Sequence, residues 1–257
     1  MTEQQGYQAL VEGADARSRI VLVCEHASNA VPQEWAGLGL TAEQALAHIA
    51  WDPGALGLAR GLAKRLGAVL VHAPVSRLVY DCNRAPDSLG AMPPRSEVHD
   101  IPGNAAITPE ERARRTAQVY VPFHAGLGRV ISDRIALGFR PVIVTVHSFT
   151  PIYHGKPREV EFGVIHDDTR VGDEAFARQV VGAAWAMTGL RAELNAPYSA
   201  KDEVTHLLRR QAVPFGLPHA MLEVRNDLIA TPDAEEAMAD QLAPVLARAL
   251  AALEGEG

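Results

Sequence analysis

The sequence predicts an α/β protein with a mainly parallel sheet covered by helices on both faces. Three observations carry this. Short β-branched runs alternate with longer helical patterns. The runs IVLVC (20–24) and PVIVTV (141–146) are apolar without interruption, as strands buried on both faces are. The chain has 257 residues, within reach of one α/β domain, and neither an internal repeat nor a low-complexity linker divides it.

In chain order, residues 1–17 are a polar segment, and Ile20–Cys24 is the first buried strand. Thr41 precedes a helical stretch to about residue 50. Asp52-Pro53 opens a second helix with proline in its first turn. Leu56, Ala59, Leu62, Ala63 and Leu66 form its apolar stripe, and Gly67 ends it. Val69–His72 is the next strand, and Leu78–Tyr80 reads as another. Residues 85–107, rich in Pro, Gly and Asp, form a long loop of the kind that covers functional sites. Thr108-Pro109-Glu110-Glu111 is a capping box that opens a helix to about Leu137, with a kink expected at Pro122. Strands follow at Pro141–Val146, Phe162–Ile165 and Ala220–Arg225. Helices are predicted at Asp173–Gly189, Lys201–Gln211 and Ala234–Leu253.

Composition narrows the function. Hydrophobic residues are 47% and charged residues 21%, enough for a full core and against wholesale disorder. With 24 Lys and Arg against 31 Asp and Glu, the net charge is −7, and no basic block stands out, which weighs against a nucleic-acid binder. Two cysteines, Cys24 and Cys82, can build neither a disulfide scaffold nor a thiolate zinc cluster. Both sit in apolar runs, so buried free thiols and a reducing compartment are expected. The first sixteen residues carry three acids and no lysine, unlike a signal peptide. No apolar run approaches the ~20 residues of a membrane span. The expectation is a cytoplasmic protein without a membrane partner. The sequence carries no signal of oligomeric state.

In open parallel sheets, ligands bind beyond the carboxyl ends of the strands. Four polar clusters fall at such ends: Glu25-His26-Ala27-Ser28-Asn29, Asp81-Cys82-Asn83-Arg84, His147-Ser148, and Glu223 with Arg225. His26 and His147 are natural zinc ligands, because catalytic zinc takes three protein ligands and keeps an open position. An oxygen donor would be the third: Asp52, Asn29 or Glu25. Asp52 has the competing role of a helix cap, and the two histidines that of satisfied strand-end residues. His48 lies four residues before Asp52 and suits a supporting position. Glu223, in an otherwise apolar strand, needs a partner. Either it pairs with Arg225, or it is a general base tuned by burial. Arg84 offers a bidentate fork for a substrate carboxylate, and Asn83 adds a directional donor. Arg77 places a second cation near a reacting carbonyl, or else pairs with Asp81 or Asp87.

The strings CEHASNAVP (24–32), HIAWDPGALGLA (48–59), SRLVYDCNRAPDS (76–88), VTVHSFTP (144–151) and LEVRNDL (222–228) resemble the N-formylglutamate amidohydrolase family, in order and over most of the chain. The resemblance implies a single three-layer α/β/α domain with a mixed, mainly parallel sheet, similar to the zinc carboxypeptidases and the succinylglutamate desuccinylase-like deacylases. In those relatives zinc is held by a His-x-x-Glu pair and a later histidine, an Asn-Arg pair holds the substrate carboxylate, and a late glutamate activates water. Carried over, His26 and His147 are metal ligands, Asn83-Arg84 is the carboxylate clamp and Glu223 the base. This chain has Asn29 where the relatives carry glutamate. The assignment adopted for the missing ligand is Asp52, since Glu25 is one residue from His26 and points the opposite way in a regular strand. The implied activity is zinc-dependent hydrolysis of an N-acyl amino acid, most simply N-formyl-L-glutamate, with Arg77 or Arg225 stabilising the oxyanion and loop 85–107 closing over the site. The alternatives are a deacylase for another N-acyl amino acid or small amide, and a metal-free carboxylate-binding protein that keeps Arg84.

Overall fold

The computed structural model describes residues 6–255. Strands β1 (Leu10–Glu12) and β2 (Ile20–Cys24) precede helices α1 (Ala42–Leu46) and α2 (Ala55–Leu66) and strand β3 (Val69–His72). A hairpin of β4 (Arg95–Ser96) and β5 (His99–Asp100) leads to α3 (Pro102–Ala105), α4 (Pro109–Arg115), α5 (Val121–Ala136) and β6 (Val142–Phe149). A second hairpin, β7 (Ile152–Tyr153) and β8 (Lys156–Pro157), comes before β9 (Phe162–Ile165) and α6 (Ala175–Met187). Then follow β10 (Ala192–Leu194), α7 (His206–Gln211), β11 (His219–Arg225) and α8 (Pro232–Gly255).

The main sheet has seven strands in the order β1-β3-β2-β6-β11-β9-β10. Strands β3, β2, β6 and β11 run parallel. β9 is antiparallel to β11, β10 is parallel to β9, and β1 is antiparallel to β3 at the other edge. The sheet is therefore mixed and mainly parallel, with helices on both faces. Alternation along each strand feeds two cores. Ile20, Leu22, Val144, Val146 and Leu222 pack in a core with residues of α2, α6 and α8. Val21, Val23, Val71, Ile143 and Met221 belong to the other core, with Phe123 and Leu127 of α5. Each fully buried aliphatic side chain contributes about 1.5–3 kcal/mol, so the central strands are the best-anchored part of the molecule. Among the described residues no helix is long and apolar enough to cross a membrane. Cys24 and Cys82 are free and buried.

Several local expectations are corrected. Leu78–Tyr80 is a turn, not a strand. The Ser76 hydroxyl accepts from Leu78 N at 3.1 Å and donates to Ala50 O at 2.7 Å, which diverts the chain from a ladder. α1 stops at Leu46, where Ala47 turns extended. α2 begins at Ala55 rather than Asp52, after Gly54 at φ +79°. There a Cβ would collide with Ile229, so a glycine is required. Its buried positions are Ala55, Leu58, Ala59, Gly61 and Leu62, so Leu56, Ala63 and Leu66 are marginal. Gly67 ends it in the left-handed conformation, as expected.

Only half of the Thr108 capping box forms: Thr108 accepts from Glu111 N, while the Glu111 carboxylate serves Trp35, Arg114 and Arg115. Pro122 does not end the helix. Residues 116–120 widen to π geometry, the Gln118 carbonyl that a residue at 122 would bond accepts from Tyr7 N at 2.7 Å instead, and α5 continues. Residues 201–211 split at Glu203, whose φ is +58°. β6 runs on to Phe149, so His147 and Ser148 lie inside the strand.

Candidate active site

Residues at the carboxyl ends of β2, β6 and β11 converge on one cavity of about 270 Å³. His26 follows β2, and its carbonyl accepts from Asp52 N at 2.9 Å, which fixes the turn before α2. His147 in β6 and Glu223 in β11 are register partners on the same sheet face. Asp52 does not cap α2; its carboxylate turns inward. Asp52 Oδ2 lies 3.3 Å from His26 Nδ1 and 2.8 Å from His147 Nδ1. Donor atoms of these buried residues lie within 4.8 Å of one another. The far nitrogens also face carboxylates: His26 Nε2 meets Asp81 at 2.8 Å, and His147 Nε2 meets Glu25 at 3.1 Å. A carboxylate on the outer nitrogen fixes the tautomer that presents a lone pair to a metal.

The donor set suits a divalent metal. Two imidazoles and a carboxylate form a nitrogen–oxygen set that zinc accepts, open to the cavity on the remaining side. Glu25, Asp52, Asp81 and Glu223 are all buried around these histidines, and Arg77 pairs with Asp52 and Asp81. Of the other oxygen donors considered, Asn29 donates to Ala45 O at 3.0 Å and does not line the cavity. Glu25 sits behind His147 rather than between the histidines.

Titration follows the same geometry. Burial works most strongly against the His147 imidazolium, but Glu25 and Asp52 outweigh it and hold its pKa well above the usual value. For His26, burial and then Arg77 lower the pKa, and Asp81 with Asp52 raises it beyond them. Burial raises the Asp52 pKa, and the two histidines overcome that and hold it well below the carboxylate range. Glu223 goes the other way: burial, then Asp52, pushes it up to about 7 against the pull of His147, His26 and Arg77. Its Oε2 is buried and makes no hydrogen bond among the described residues.

The remaining expected site residues separate. Arg77 lines the cavity, chelates Asp81 Oδ2 through Nε and Nη2 at 3.1 and 2.6 Å, and reaches Asp52 Oδ1 at 3.3 Å. Arg84 also lines it; its Nη1 donates to Asn83 O and Glu203 O at 3.1 and 2.7 Å. Asn83 is mainly a brace. Its Nδ2 donates to Val204 O and its Oδ1 accepts from Leu207 N, which ties the Arg84 turn to the loop before α7. One N–H of the amide remains for a ligand, fewer than a free directional donor would offer. Arg225 does not line the cavity. It pairs with Asp227 at 2.8 Å and Glu161 at 3.6 Å, so the Glu223–Arg225 bridge is not formed and Arg225 is turned to partners outside the cavity lining. From loop 85–107, Ser96 and Glu97 reach the cavity wall, where His48 Nε2 holds Glu97 at 2.8 Å.

Two features escaped the sequence. Asp81 stood in a recognised cluster, yet only the structure places it between His26, Arg77 and the backbone N–H of Asn83. Tyr198 lies in a polar loop without periodicity. Its hydroxyl accepts from Arg158 Nη2 at 2.9 Å, and burial followed by Glu223 pushes its pKa up to about 12. Gly163 lets that loop approach β9, because a Cβ there would collide with Ala196 O.

The fold and this constellation give a buried pocket of two histidines and a carboxylate at the ends of parallel strands, and the family to which the chain belongs makes the protein a hydrolase acting on linear amide C–N bonds. Residues 18–230 match the N-formylglutamate amidohydrolase family, and the chain belongs to it. A solved gene product from Agrobacterium tumefaciens is 46% identical, with TM-score 0.93 over 99% of this chain and 99% of its own. The N-formylglutamate amidohydrolase of Ralstonia eutropha shares the fold at 17% identity, with TM-score 0.70 over 97% of this chain and 99% of its own. A metallo-carboxypeptidase from Burkholderia cenocepacia is a more distant likeness, at 11% identity and TM-score 0.44 over 97% of this chain and 66% of its own. No curated protein matches the sequence.

Proposed function

We propose that this chain is a metal-dependent deacylase of N-acyl amino acids, with N-formyl-L-glutamate hydrolysed to formate and L-glutamate as its reaction. The observation that carries this reading is the meeting of two Nδ1 atoms on Asp52, with the unpartnered Glu223 carboxylate in the same cavity. His26, Asp52 and His147 would hold zinc, which when bound lowers the pKa of water and polarises an acyl oxygen. Glu223 takes the proton of the attacking water and delivers it to the leaving amine; a pKa of about 7 suits both transfers near neutral pH. Arg84 grips a substrate carboxylate with N–H groups not directed at Asn83 O and Glu203 O, and Asn83 holds the turn that aims it. Arg77, fixed by Asp81, faces the developing oxyanion. A cavity of about 270 Å³ suits a small N-acyl amino acid rather than a peptide. The free cysteines fit a reducing, cytoplasmic setting.

The test is a hydrolysis screen over N-formyl, N-acetyl and N-succinyl amino acids, with and without chelator. Chelator-sensitive release of formate from N-formylglutamate is expected. Activity untouched by chelation removes the metal, and turnover confined to another acyl group changes the substrate. His26→Ala and His147→Ala should each abolish zinc binding, because a three-ligand site does not tolerate the loss of one. Full occupancy in either variant excludes that histidine.

A further inference from the structure

Glu25 has no place in the mechanism above, yet it is among the most deeply buried acids in the molecule. Its side chain is 0% exposed, Oε1 lies 3.1 Å from His147 Nε2, and Oε2 is buried without a hydrogen bond. No lysine or arginine forms an ion pair with it among the described residues. Asp81, its counterpart behind His26, differs in kind. Asp81 Oδ1 accepts from His26 Nε2 and Asn83 N, and Oδ2 takes the fork of Arg77. Thus one histidine is backed by a carboxylate shared with an arginine, and the other by a carboxylate whose side-chain partner among the described residues is that histidine alone.

A buried carboxylate without a cation is costly, so a fold that keeps one needs a compensating charge nearby. Arg77 is taken up by Asp81 and Asp52. The His147 imidazole is thus the polar partner that Glu25 meets, and the other ring nitrogen of His147 faces the cage.

We infer that Glu25 is a positioning residue for His147. It accepts the Nε2–H, which fixes the ring plane and leaves Nδ1 as the nitrogen that faces Asp52 and the cage. The inference rests on the reading that the cage holds a metal. It assigns a second duty to the residue before His26: Glu25 sets how tightly the metal is held without touching it. Carboxylates behind a ligand histidine typically change metal affinity ~10–100-fold.

Glu25→Gln tests this, because the amide oxygen still accepts from Nε2–H while the charge is removed. Zinc affinity is measured by competition with a chromophoric chelator, and melting is followed with and without zinc. The expected result is affinity ~10–100-fold weaker and a smaller zinc-induced rise in melting temperature than in wild type. An affinity within about twofold of wild type overturns the inference while wild-type zinc binding leaves the metal reading standing. So does a zinc-induced rise in melting temperature equal to that of wild type. Wild-type protein that takes up no zinc overturns both. Nitrogen-15 spectra of the zinc-loaded wild type need no variant. A slowly exchanging His147 Nε2–H is expected, and metal on Nε2 instead overturns the inference.

Discussion

Glu223 combines burial, a free carboxylate oxygen and a raised pKa, and each has a consequence for a Glu223→Gln variant. As general base, the residue should lose ~10²–10⁴ in turnover when the proton acceptor is removed, with fold and metal retained. Stability gives an independent check in chelated protein. Between pH 4.5 and about 7 the folded state keeps a proton on Glu223 that the unfolded state has lost. Wild-type stability therefore falls with rising pH across that window, by about 3 kcal/mol in all. Glutamine does not ionise, so the variant should match wild type at mildly acid pH and exceed it by up to that amount above pH ~7. Chemical denaturation at both pH values measures it. A fully active variant that is less stable at alkaline pH overturns the role, since that is the behaviour of a structural carboxylate. The sequence marked this residue because a carboxylate in AMLEV demanded an explanation. It could not choose between base and bridge, because strand periodicity puts Arg225 on the same face whether or not the two side chains meet.

The elements that position the site are a strand ladder and the loops tied to it, and they differ in how visible they were. Ile20–Cys24, Val69–His72 and Phe162–Ile165 have the bounds their apolar runs predicted, because burial on both faces leaves a continuous signal. The short edge strands β1 and β10 were invisible: three residues, partly exposed, carry no periodicity. Loops 76–84 and 195–206 were also illegible as structure, since side chain–backbone hydrogen bonds from Ser76, Asn83 and Asp202 shape them. The Arg84 turn yields one prediction. Arg84→Lys keeps charge but loses the fork, so binding of the carboxylate substrate should weaken by roughly 1.5–3 kcal/mol, seen as a higher KM. Unchanged KM and turnover would leave Arg84 only its role of bracing the 203–207 loop. Gly163 yields another. Gly163→Ala drives a methyl into Ala196 O, which should cost about 1–3 kcal/mol of stability and displace Tyr198 from the cavity wall. Unfolding in denaturant and the KM for N-formylglutamate measure the two effects, and a variant indistinguishable from wild type in both would show that the loop is not held by this contact.

Across the whole molecule, the parallel strands deliver their carboxyl ends to one place, and so gather Glu25, Asp52, Asp81 and Glu223 with His26 and His147 in the interior. That concentration makes stability depend on pH and metal together. In metal-free protein the depressed Asp52 and Asp81 contribute stability above their ordinary pKa and lose it only in strong acid. The raised His26 and His147 contribute at acid and neutral pH, and their contribution is lost as pH rises through their raised values. Glu223 adds a loss of the same sign from pH 4.5 upward. Above the ordinary carboxylate range the aspartate contributions are constant, and the histidines and Glu223 drive metal-free stability downward with rising pH. A metal reverses the trend, because it displaces the histidine protons and so binds more tightly as pH rises, by ~tenfold per unit for each proton displaced. At a zinc concentration about a hundredfold above Kd the loaded protein should gain ~2.7 kcal/mol, or roughly 5–10 °C in melting temperature for a chain of this size. That gap should widen from pH ~5.5 to pH ~8 at fixed free zinc. Melting curves at several pH values with buffered zinc and with chelator measure it. A gap that stays constant would mean that no histidine proton leaves on binding, and that the metal, if held, sits elsewhere than between His26, Asp52 and His147.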